Sequence, residues 1–345
     1  MSRLFPACLL AVVLLAACGG SDPGSALTPN THPVSDPAPP PKPELPPEDE
    51  GCSAGEEDGE ATVIPIKVEP IENLVTPIVN ICFGEEGPYP LELDTGAATS
   101  AISTSLAEEL GLKKTGDPEI ILGAGCRGES QGYELPSWSV GGVPLEGGTI
   151  TATDEPESEE GYPRGSLGAD VLSRFGAIRI DYANEKLILP GDEGPEFEES
   201  GKPEPLPEAL VPSGPEITAP MTAEGFFGEV TQTAEIALGE TTATPWLIDT
   251  AAALSVAESS AVKAARLEPT DTAREGGTFC STIVIEEYES GDWTLGGEPL
   301  EPEALGGLDL GSGGEVGGLL GSNTLYRFGS VVFDWDGGQL LLGVG

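Results

Sequence analysis

The sequence predicts a mostly β protein made of two tandem, barrel-like lobes. Two observations predict this fold class. The second half of the chain repeats the first at a nearly constant offset, and both copies consist of short apolar stretches separated by turn-forming residues. Short strands, frequent turns and few helical segments favour closed β lobes.

The repeat is clearest in two short motifs. The stretch Asp94–Ala98 (DTGAA) recurs as Asp249–Ala253 (DTAAA), which lies 155 residues further along the chain. The pair Leu167–Gly168 recurs as Leu320–Gly321, with an offset of 153 residues. Because several matches occur in one order at nearly one offset, the chain contains two copies of one domain.

Segments rich in proline, glycine and glutamate set the domain boundaries. Such segments cannot bury enough apolar surface to offset the entropy lost on ordering them. We therefore predict a disordered tether over residues 18–60 and an interdomain linker over residues 193–215. Lobe 1 then spans residues 61–192, and lobe 2 spans residues 216–345.

Residues 1–17 are typical of a signal peptide. Arg3 supplies a positive charge, and the apolar run over residues 9–15 is too short to span a bilayer. Residues 15–18 (LAAC) resemble the lipobox of bacterial lipoproteins, which implies cleavage before Cys18 and acylation of its thiol. The expected location is the cell envelope, with a lipid anchor in the outer membrane, at the periplasmic face or at the cell surface. The alternative is an ordinary secretory signal with a coincidental cysteine.

The charge of the chain restricts its partners. The formal net charge is -44, from 59 acidic and 15 basic residues, so neither nucleic acid nor an anionic membrane surface is expected to bind. This charge serves solubility, or it favours cationic or neutral substrates. The single histidine, His32, excludes a multi-histidine metal site and argues against a Ser-His-Asp triad. We expect neither a metal nor a cofactor.

Four cysteines remain once the signal peptide and the lipid anchor are set aside: Cys52, Cys82, Cys126 and Cys280. An even number in an exported chain is typical of disulfide bonding. Four cysteines allow three pairings, and the sequence does not choose among them.

Each aspartate motif follows an apolar strand and precedes a helix, and the Leu-Gly motif comes later in the same copy. Together, Asp94–Ala97 (DTGA) and Leu167–Gly168 resemble the bacterial aspartyl proteases related to retroviral proteases. The resemblance covers residues 76–190 and 216–345. It implies retropepsin-like (acid protease) lobes that form a pepsin-like, monomeric pseudo-dimer. The alternative is pairing of each copy with a copy from another chain, which would make activity depend on protein concentration.

The resemblance implies that Asp94 and Asp249 are the catalytic pair of an aspartic endopeptidase. Two carboxyl groups in such proximity share one proton. The ionised member would take a proton from a water molecule that attacks the peptide carbonyl, and the protonated member would stabilise the oxyanion. The expected partner is therefore a peptide or protein substrate.

The resemblance also assigns roles to the residues around the pair. Thr95 and Thr250 would interlock across the pseudo-twofold axis, while the two Leu-Gly motifs would pack behind the aspartate loops. Ala97 and Ala252 stand where pepsin-like enzymes often carry a serine that hydrogen-bonds the carboxylate. Because that donor is missing, we predict a mildly acidic to near-neutral pH optimum.

Ala251 departs from the family pattern, which has glycine at this position, as at Gly96 in the first copy. If the position needs a positive φ, alanine strains the loop by about 1 kcal/mol or more. If φ is negative, the change is nearly harmless. The alternative function is accordingly a catalytically degenerate pseudo-protease that binds peptides or proteins.

Between the aspartate and Leu-Gly motifs, the related families place a hairpin flap over the cleft. Glycine-rich stretches assign Gly125 and Cys126 to the first flap, and Phe279 and Cys280 to the second. A disulfide between Cys126 and Cys280 would tie the flaps together. The alternatives are that both are buried small residues, or that each pairs with one of the other two cysteines.

Overall fold

The computed structural model describes residues 52, 56–58, 61–68, 70, 74–123, 126–154, 163–191, 205–226, 229–278, 281–312 and 314–344. The predicted signal peptide, the lipidation residue Cys18 and the flap residues Gly125, Phe279 and Cys280 lie outside these ranges. The predicted fold class is confirmed, since the described chain is mostly β and repeats one strand arrangement. Among the described helices, none combines the length and apolar character needed to cross a membrane.

Lobe 1 consists of short strands and two short helices. In chain order its described elements are β1 (Glu56–Asp58), β2 (Ala61–Val68), β3 (Pro77–Phe83), β4 (Glu86–Asp94), β5 (Ala101–Ser103), α1 (Thr104–Glu109), β6 (Lys114–Gly123), β7 (Cys126–Leu135), β8 (Trp138–Val140), β9 (Val143–Leu145), β10 (Gly148–Thr153), β11 (Gly165–Gly168), α2 (Ala169–Leu172), a 3-10 turn (Ser173–Phe175), β12 (Ala177–Asp181) and β13 (Lys186–Pro190).

Lobe 2 repeats this order. After a 3-10 turn (Glu208–Leu210), its described elements are β14 (Gly214–Phe226), β15 (Glu229–Leu238), β16 (Thr244–Asp249), β17 (Val256–Glu258), α3 (Ser259–Ala265), β18 (Pro269–Thr278), β19 (Ser281–Glu289), β20 (Trp293–Leu295), β21 (Glu298–Leu300), β22 (Ala304–Leu308), β23 (Gly318–Gly321), α4 (Ser322–Tyr326), β24 (Ser330–Asp334) and β25 (Gln339–Val344).

Equivalent pairings place the two aspartates at equivalent points of the lobes. In lobe 1, β11 runs parallel to β4, so that Gly168 pairs with Asp94. In lobe 2, β23 runs parallel to β16, so that Gly321 pairs with Asp249. Each aspartate therefore ends a central strand that lies beside the strand of its Leu-Gly motif.

Apolar side chains hold these strands in the core of each lobe. Leu91 and Leu93 in β4 are fully buried, as is Ile248 in β16. Trp138 and Trp293 are buried at equivalent places, and each indole N–H donates to a backbone carbonyl 2.9 Å away. A large buried ring with a satisfied polar atom anchors the core behind the aspartate strands.

One antiparallel sheet joins the lobes. Its strands follow the order β1, β2, β13, β12, β24, β25 and β14, with the lobe boundary between β12 and β24. In the central pair, Ala177 lies opposite Asp334 and Asp181 lies opposite Ser330. Positions 177 and 330 are equivalent in the two copies, as are 181 and 334, so the pseudo-twofold axis passes through this pair of strands.

The folded part of the chain begins before residue 60, the predicted end of the tether. Strand β1 pairs with β2, placing Glu56 opposite Val63, and a disulfide links Cys52 to Cys82 in β3. Strand pairing and the covalent link hold a segment whose acidic composition alone predicts disorder.

The second part of the predicted linker also belongs to the folded body. Leu210 is fully buried in a small cluster with Ala177 of β12. The Arg179 guanidinium donates to the backbone carbonyls of Ala209 and Val211, each at 3.4 Å. Strand β14 then starts at Gly214, two residues before the predicted start of lobe 2.

Candidate active site

Asp94 and Asp249 come together at the lobe boundary. Each is followed by an aspartate loop, called loop 1 after β4 and loop 2 after β16. Both side chains are fully buried, and the carboxyl group of Asp249 lies against the loop that follows Asp94, since a Cβ on Gly96 would stand 2.2 Å from its carboxyl carbon. Two buried carboxyl groups this close cannot both ionise at low cost, so the pair favours one retained proton. The structure therefore holds the predicted pair in an arrangement that fits a shared proton.

Backbone donors fix the orientation of each carboxyl group. The Oδ1 atom of Asp94 accepts from the N–H groups of Gly96 at 3.0 Å and Ala97 at 2.8 Å. The Oδ1 atom of Asp249 accepts from the N–H groups of Ala251 at 3.0 Å and Ala252 at 2.9 Å. Each Oδ2 atom is buried and has no hydrogen-bond partner among the described residues.

Burial governs the ionisation of the pair. Loss of solvent raises the pKa of Asp94 well above its ordinary value, and the charge of Asp249 raises it further. Burial also raises the pKa of Asp249 to about 7, although backbone donors in its own loop oppose this rise. Both groups resist ionisation, so the pair retains a proton under mildly acidic conditions.

Thr95 and Thr250 interlock across the axis. The backbone N–H of Thr95 donates to the hydroxyl of Thr250 at 3.0 Å, and the N–H of Thr250 donates to the hydroxyl of Thr95 at 3.2 Å. The Thr95 hydroxyl then donates to the carbonyl of Ile248, and the Thr250 hydroxyl to that of Leu93. Each loop is thereby tied to the strand that carries the opposite aspartate.

The Leu-Gly motifs lie directly behind the aspartate loops. Leu167 pairs with Leu93 and Leu320 with Ile248, and all four side chains are fully buried. The two glycines leave room for the loops, because a Cβ on Gly168 would lie 2.7 Å from the backbone of Thr99. On Gly321 it would lie 2.6 Å from the carbonyl oxygen of Ala252.

Two serines, for which the sequence analysis predicted no role, support the loops. Ser100 and Ser255 each accept a hydrogen bond at 2.9 Å from the backbone N–H of the glycine in the Leu-Gly motif. Ser100 donates to Asp170 at 2.7 Å, and Ser255 donates to Asn323 at 3.0 Å. Their recurrence at equivalent places of the two copies is the signal that could have revealed them.

Neither glycine nor alanine is strained at the third position of the aspartate motif. Glu185 and Arg266 are the non-glycine residues with positive φ in the described chain, and Gly96 is not among the glycines with positive φ. The φ of Ala251 is therefore negative, and of the two cases left open by the sequence the structure selects the unstrained one. What distinguishes the two loops is the methyl group itself.

The first hairpin of each lobe reaches the aspartate loop of the other lobe. The N–H of Val75, between β2 and β3, donates to the carbonyl of Ala253 at 3.2 Å. The N–H of Val230 in β15 donates to the carbonyl of Ala98 at 3.1 Å. Both loops therefore depend on backbone contacts supplied by the opposite lobe.

Hairpins occur where the flaps are predicted, formed by β6 with β7 and by β18 with β19. Of the predicted flap residues, Cys126 is described, and it is disulfide-bonded. The bond between Cys52 and Cys82 excludes two of the three pairings of the four cysteines. The remaining pairing, Cys126 with Cys280, stays a prediction because Cys280 lies outside the described residues.

One protein family matches part of lobe 1. Residues 79–171 match the model of a family described as aspartyl protease, and this segment contains Asp94 and Leu167–Gly168. The resemblance noted in the sequence is confirmed for this part of the chain.

Two solved plant seed proteins show a distant similarity to the chain. Basic 7S globulin from soybean is 10% identical, with a TM-score of 0.45, and the alignment covers 83% of this chain and 95% of that one. Conglutin gamma, a basic 7S globulin from lupine seeds, is also 10% identical, with a TM-score of 0.47 and coverage of 84% and 96%. No curated protein matches the chain in sequence.

Proposed function

We propose that the protein is an aspartic endopeptidase that hydrolyses peptide bonds with Asp94 and Asp249. The observation that carries the proposal is the buried carboxyl pair, in which each Oδ1 atom is fixed by two backbone donors and each Oδ2 atom has no hydrogen-bond partner among the described residues. Such a pair can hold a water molecule, one proton and a negative charge in a fixed geometry.

The reaction follows from the two protonation states. The ionised carboxyl removes a proton from water as the water oxygen forms a bond to the peptide carbonyl carbon. The protonated carboxyl donates to the carbonyl oxygen, which gives a neutral tetrahedral diol. A proton is then transferred to the amide nitrogen, the C–N bond breaks, and a carboxylic acid and an amine leave.

The proposed location is the cell envelope. The lipobox resemblance at Cys18 supports an anchored chain whose N-terminal segment separates the catalytic lobes from the membrane. Substrates would then be peptides or proteins on the exported side. The net charge of -44 favours substrates that are not strongly anionic.

The second candidate function is a binding protein that keeps the cleft without hydrolysis. It is favoured by the complete burial of both carboxyl groups, since substrate can reach them only after a movement that exposes the pair. Ala251 adds to this candidate, because the third position of the aspartate motif carries a methyl group here, where the first copy has glycine.

One assay separates the two functions. The purified chain, with its disulfides intact, is incubated with a peptide library from about pH 3 to about pH 7, the range over which a carboxyl pair titrates. Cleavage by the wild type that is lost in both Asp94→Asn and Asp249→Asn supports the peptidase. Asp292→Asn, which removes an exposed carboxylate, is the matched control and should cleave normally. Peptide binding without cleavage at any pH favours the binding protein.

A further inference from the structure

The backbone of Gly96 lies against the opposite aspartate. A Cβ at this position would stand 2.5 Å from Oδ2 and 2.6 Å from Oδ1 of Asp249. Both distances are shorter than any contact that a methyl group tolerates. The carboxyl group of Asp249 therefore occupies space that only glycine leaves free in loop 1.

The pseudo-twofold axis gives Ala251 the equivalent place in loop 2. The threonine interlock and the backbone bonds to each Oδ1 atom are reciprocal, so the two loops have the same orientation toward the axis. By this equivalence the Cβ of Ala251 is expected to face Asp94, as a Cβ on Gly96 would face Asp249. Ala251 is completely buried, so its methyl group is enclosed by the protein.

The methyl group makes the environments of the two carboxyl groups unequal. Asp249 can approach the polar backbone of loop 1 closely, whereas the methyl group keeps Asp94 away from the backbone of loop 2. A carboxylate next to peptide dipoles keeps its charge at lower cost than one that faces a hydrocarbon group.

We propose that Ala251 fixes the position of the shared proton, so that Asp94 is the acid that donates to the substrate carbonyl and Asp249 is the base that activates water. The assignment of catalytic roles rests on the proposed function, but the position of the proton does not. Ala251 is in this view a positioning residue that acts through Asp94, and it is not a defect of the second loop.

The electrostatics of the pair agree with this assignment. Burial raises the pKa of both carboxyl groups, and the charge of Asp249 raises that of Asp94 further, as expected if Asp94 keeps its proton to higher pH. Two other titratable groups pack near the loops. Tyr182 is buried, bonds to Ser322, and has a pKa raised further above its ordinary value by burial, so that it stays neutral. Asp170 accepts from Ser100 behind loop 1.

The test is a carbon-13 NMR titration of the aspartate carboxyl carbons, assigned by the signals lost in Asp94→Asn and Asp249→Asn. In the wild type, the Asp94 signal should titrate at the higher pH. In Ala251→Gly the two titrations should converge, by about one pH unit. Ala253→Gly removes a methyl group from the same loop at a position that is alanine in both copies, and should leave the order and the separation unchanged.

Two results would overturn the proposal: titration of Asp249 above Asp94 in the wild type, or an unchanged separation in Ala251→Gly. If Ala251→Gly does not fold, the order in the wild type still decides. A third result separates the two proposals: no peptide is hydrolysed, but Asp94 titrates at higher pH than Asp249 and Ala251→Gly removes that separation. The peptidase function then fails, and the assignment of the proton to Asp94 stands. In an active enzyme, the alkaline limb of kcat/KM should move to lower pH in Ala251→Gly by the same amount.

Discussion

Thr95 and Thr250 exchange backbone-to-hydroxyl hydrogen bonds across the lobe boundary, and both side chains are fully buried. Each hydroxyl accepts from the partner's N–H and donates to a carbonyl in the partner's strand. Two loops from different lobes are thus fixed by four hydrogen bonds that no solvent can replace.

Loss of the Thr95 hydroxyl should destabilise the folded chain. Thr95→Val keeps the shape but leaves the N–H of Thr250 without its partner, and it leaves the carbonyl of Ile248 with the side chain of Gln232 as its remaining side-chain donor. We expect the free energy of unfolding to fall by about 2 kcal/mol or more, since each buried unsatisfied group costs about 1–3 kcal/mol. Thr95→Ser, which keeps the hydroxyl, should lose less than half of that. Urea denaturation of both variants measures the difference, and equal losses would contradict the interpretation.

The raised pKa of the buried pair predicts a specific dependence of stability on pH. The folded chain holds the proton of Asp249 more tightly than the unfolded chain does, so stability is lost as the pH rises from about 4 to about 7. In Asp249→Asn this loss should be reduced. The fall in Tm between pH 4 and pH 8 should therefore be smaller in the variant than in the wild type. Calorimetry across this range measures it, with Asp292→Asn as the control. Parallel curves for wild type and Asp249→Asn would show that the pair ionises normally.

The pH optimum of cleavage should be mildly acidic to near neutral. Neither Ala97 nor Ala252 offers a side-chain donor that would stabilise the ionised pair. Ala97→Ser should therefore move the acidic limb of the pH–rate profile down by about half a pH unit or more. A wild-type profile that peaks below about pH 3.5 would contradict the prediction.

Arg179 links the interlobe sheet to the segment that enters lobe 2. Its guanidinium is buried, pairs with Asp181 at 3.0 Å and donates to Ser330 at 2.8 Å. Asp181→Ala leaves that cation without its carboxylate partner, and we expect destabilisation by about 3 kcal/mol. Arg174→Ala, at a more exposed arginine, should cost less than about 1 kcal/mol. Denaturant titration distinguishes the two, and similar losses would argue against a structural role for the buried pair.

The predicted link between the flaps has its own test. Mass spectrometry of unreduced peptides should find Cys126 bonded to Cys280. Mild reduction, or replacement of both residues by serine, should raise the rate of cleavage of folded substrates, because the flaps can then separate. The double serine variant of Cys52 and Cys82 controls for the loss of a disulfide elsewhere. If flap variants cleave folded and short substrates at unchanged rates, the disulfide does not control access.

The sequence predicted the two lobes and the aspartate pair because both follow from the repeat. Asp94 and Asp249 lie in matching motifs, so that each copy supplies one carboxyl group of the pair. The contacts of Val75 and Val230 with the opposite loops could not be predicted, since they join segments of different lobes without any pattern of residue types. Composition also failed at Glu56–Asp58, where strand pairing outweighs an acidic sequence.

The motif at the centre of the site also limited what could be inferred. The sequence shows that Ala251 replaces glycine, but the effect depends on φ and on the direction of one Cβ, and both require coordinates. The supporting serines were visible as repeated letters at Ser100 and Ser255. Their roles became clear only when the Leu-Gly strands were placed behind the loops.

The covalent joining of the lobes has an evolutionary consequence. An assembly of two identical chains must carry the same residue at both copies of every position, so a substitution beside one aspartate is always made beside the other. Once both halves are encoded in one gene, each can change alone. The glycine at position 96 and the alanine at position 251 are a difference that two identical chains could not carry, and it allows selection to give the two acids separate tasks.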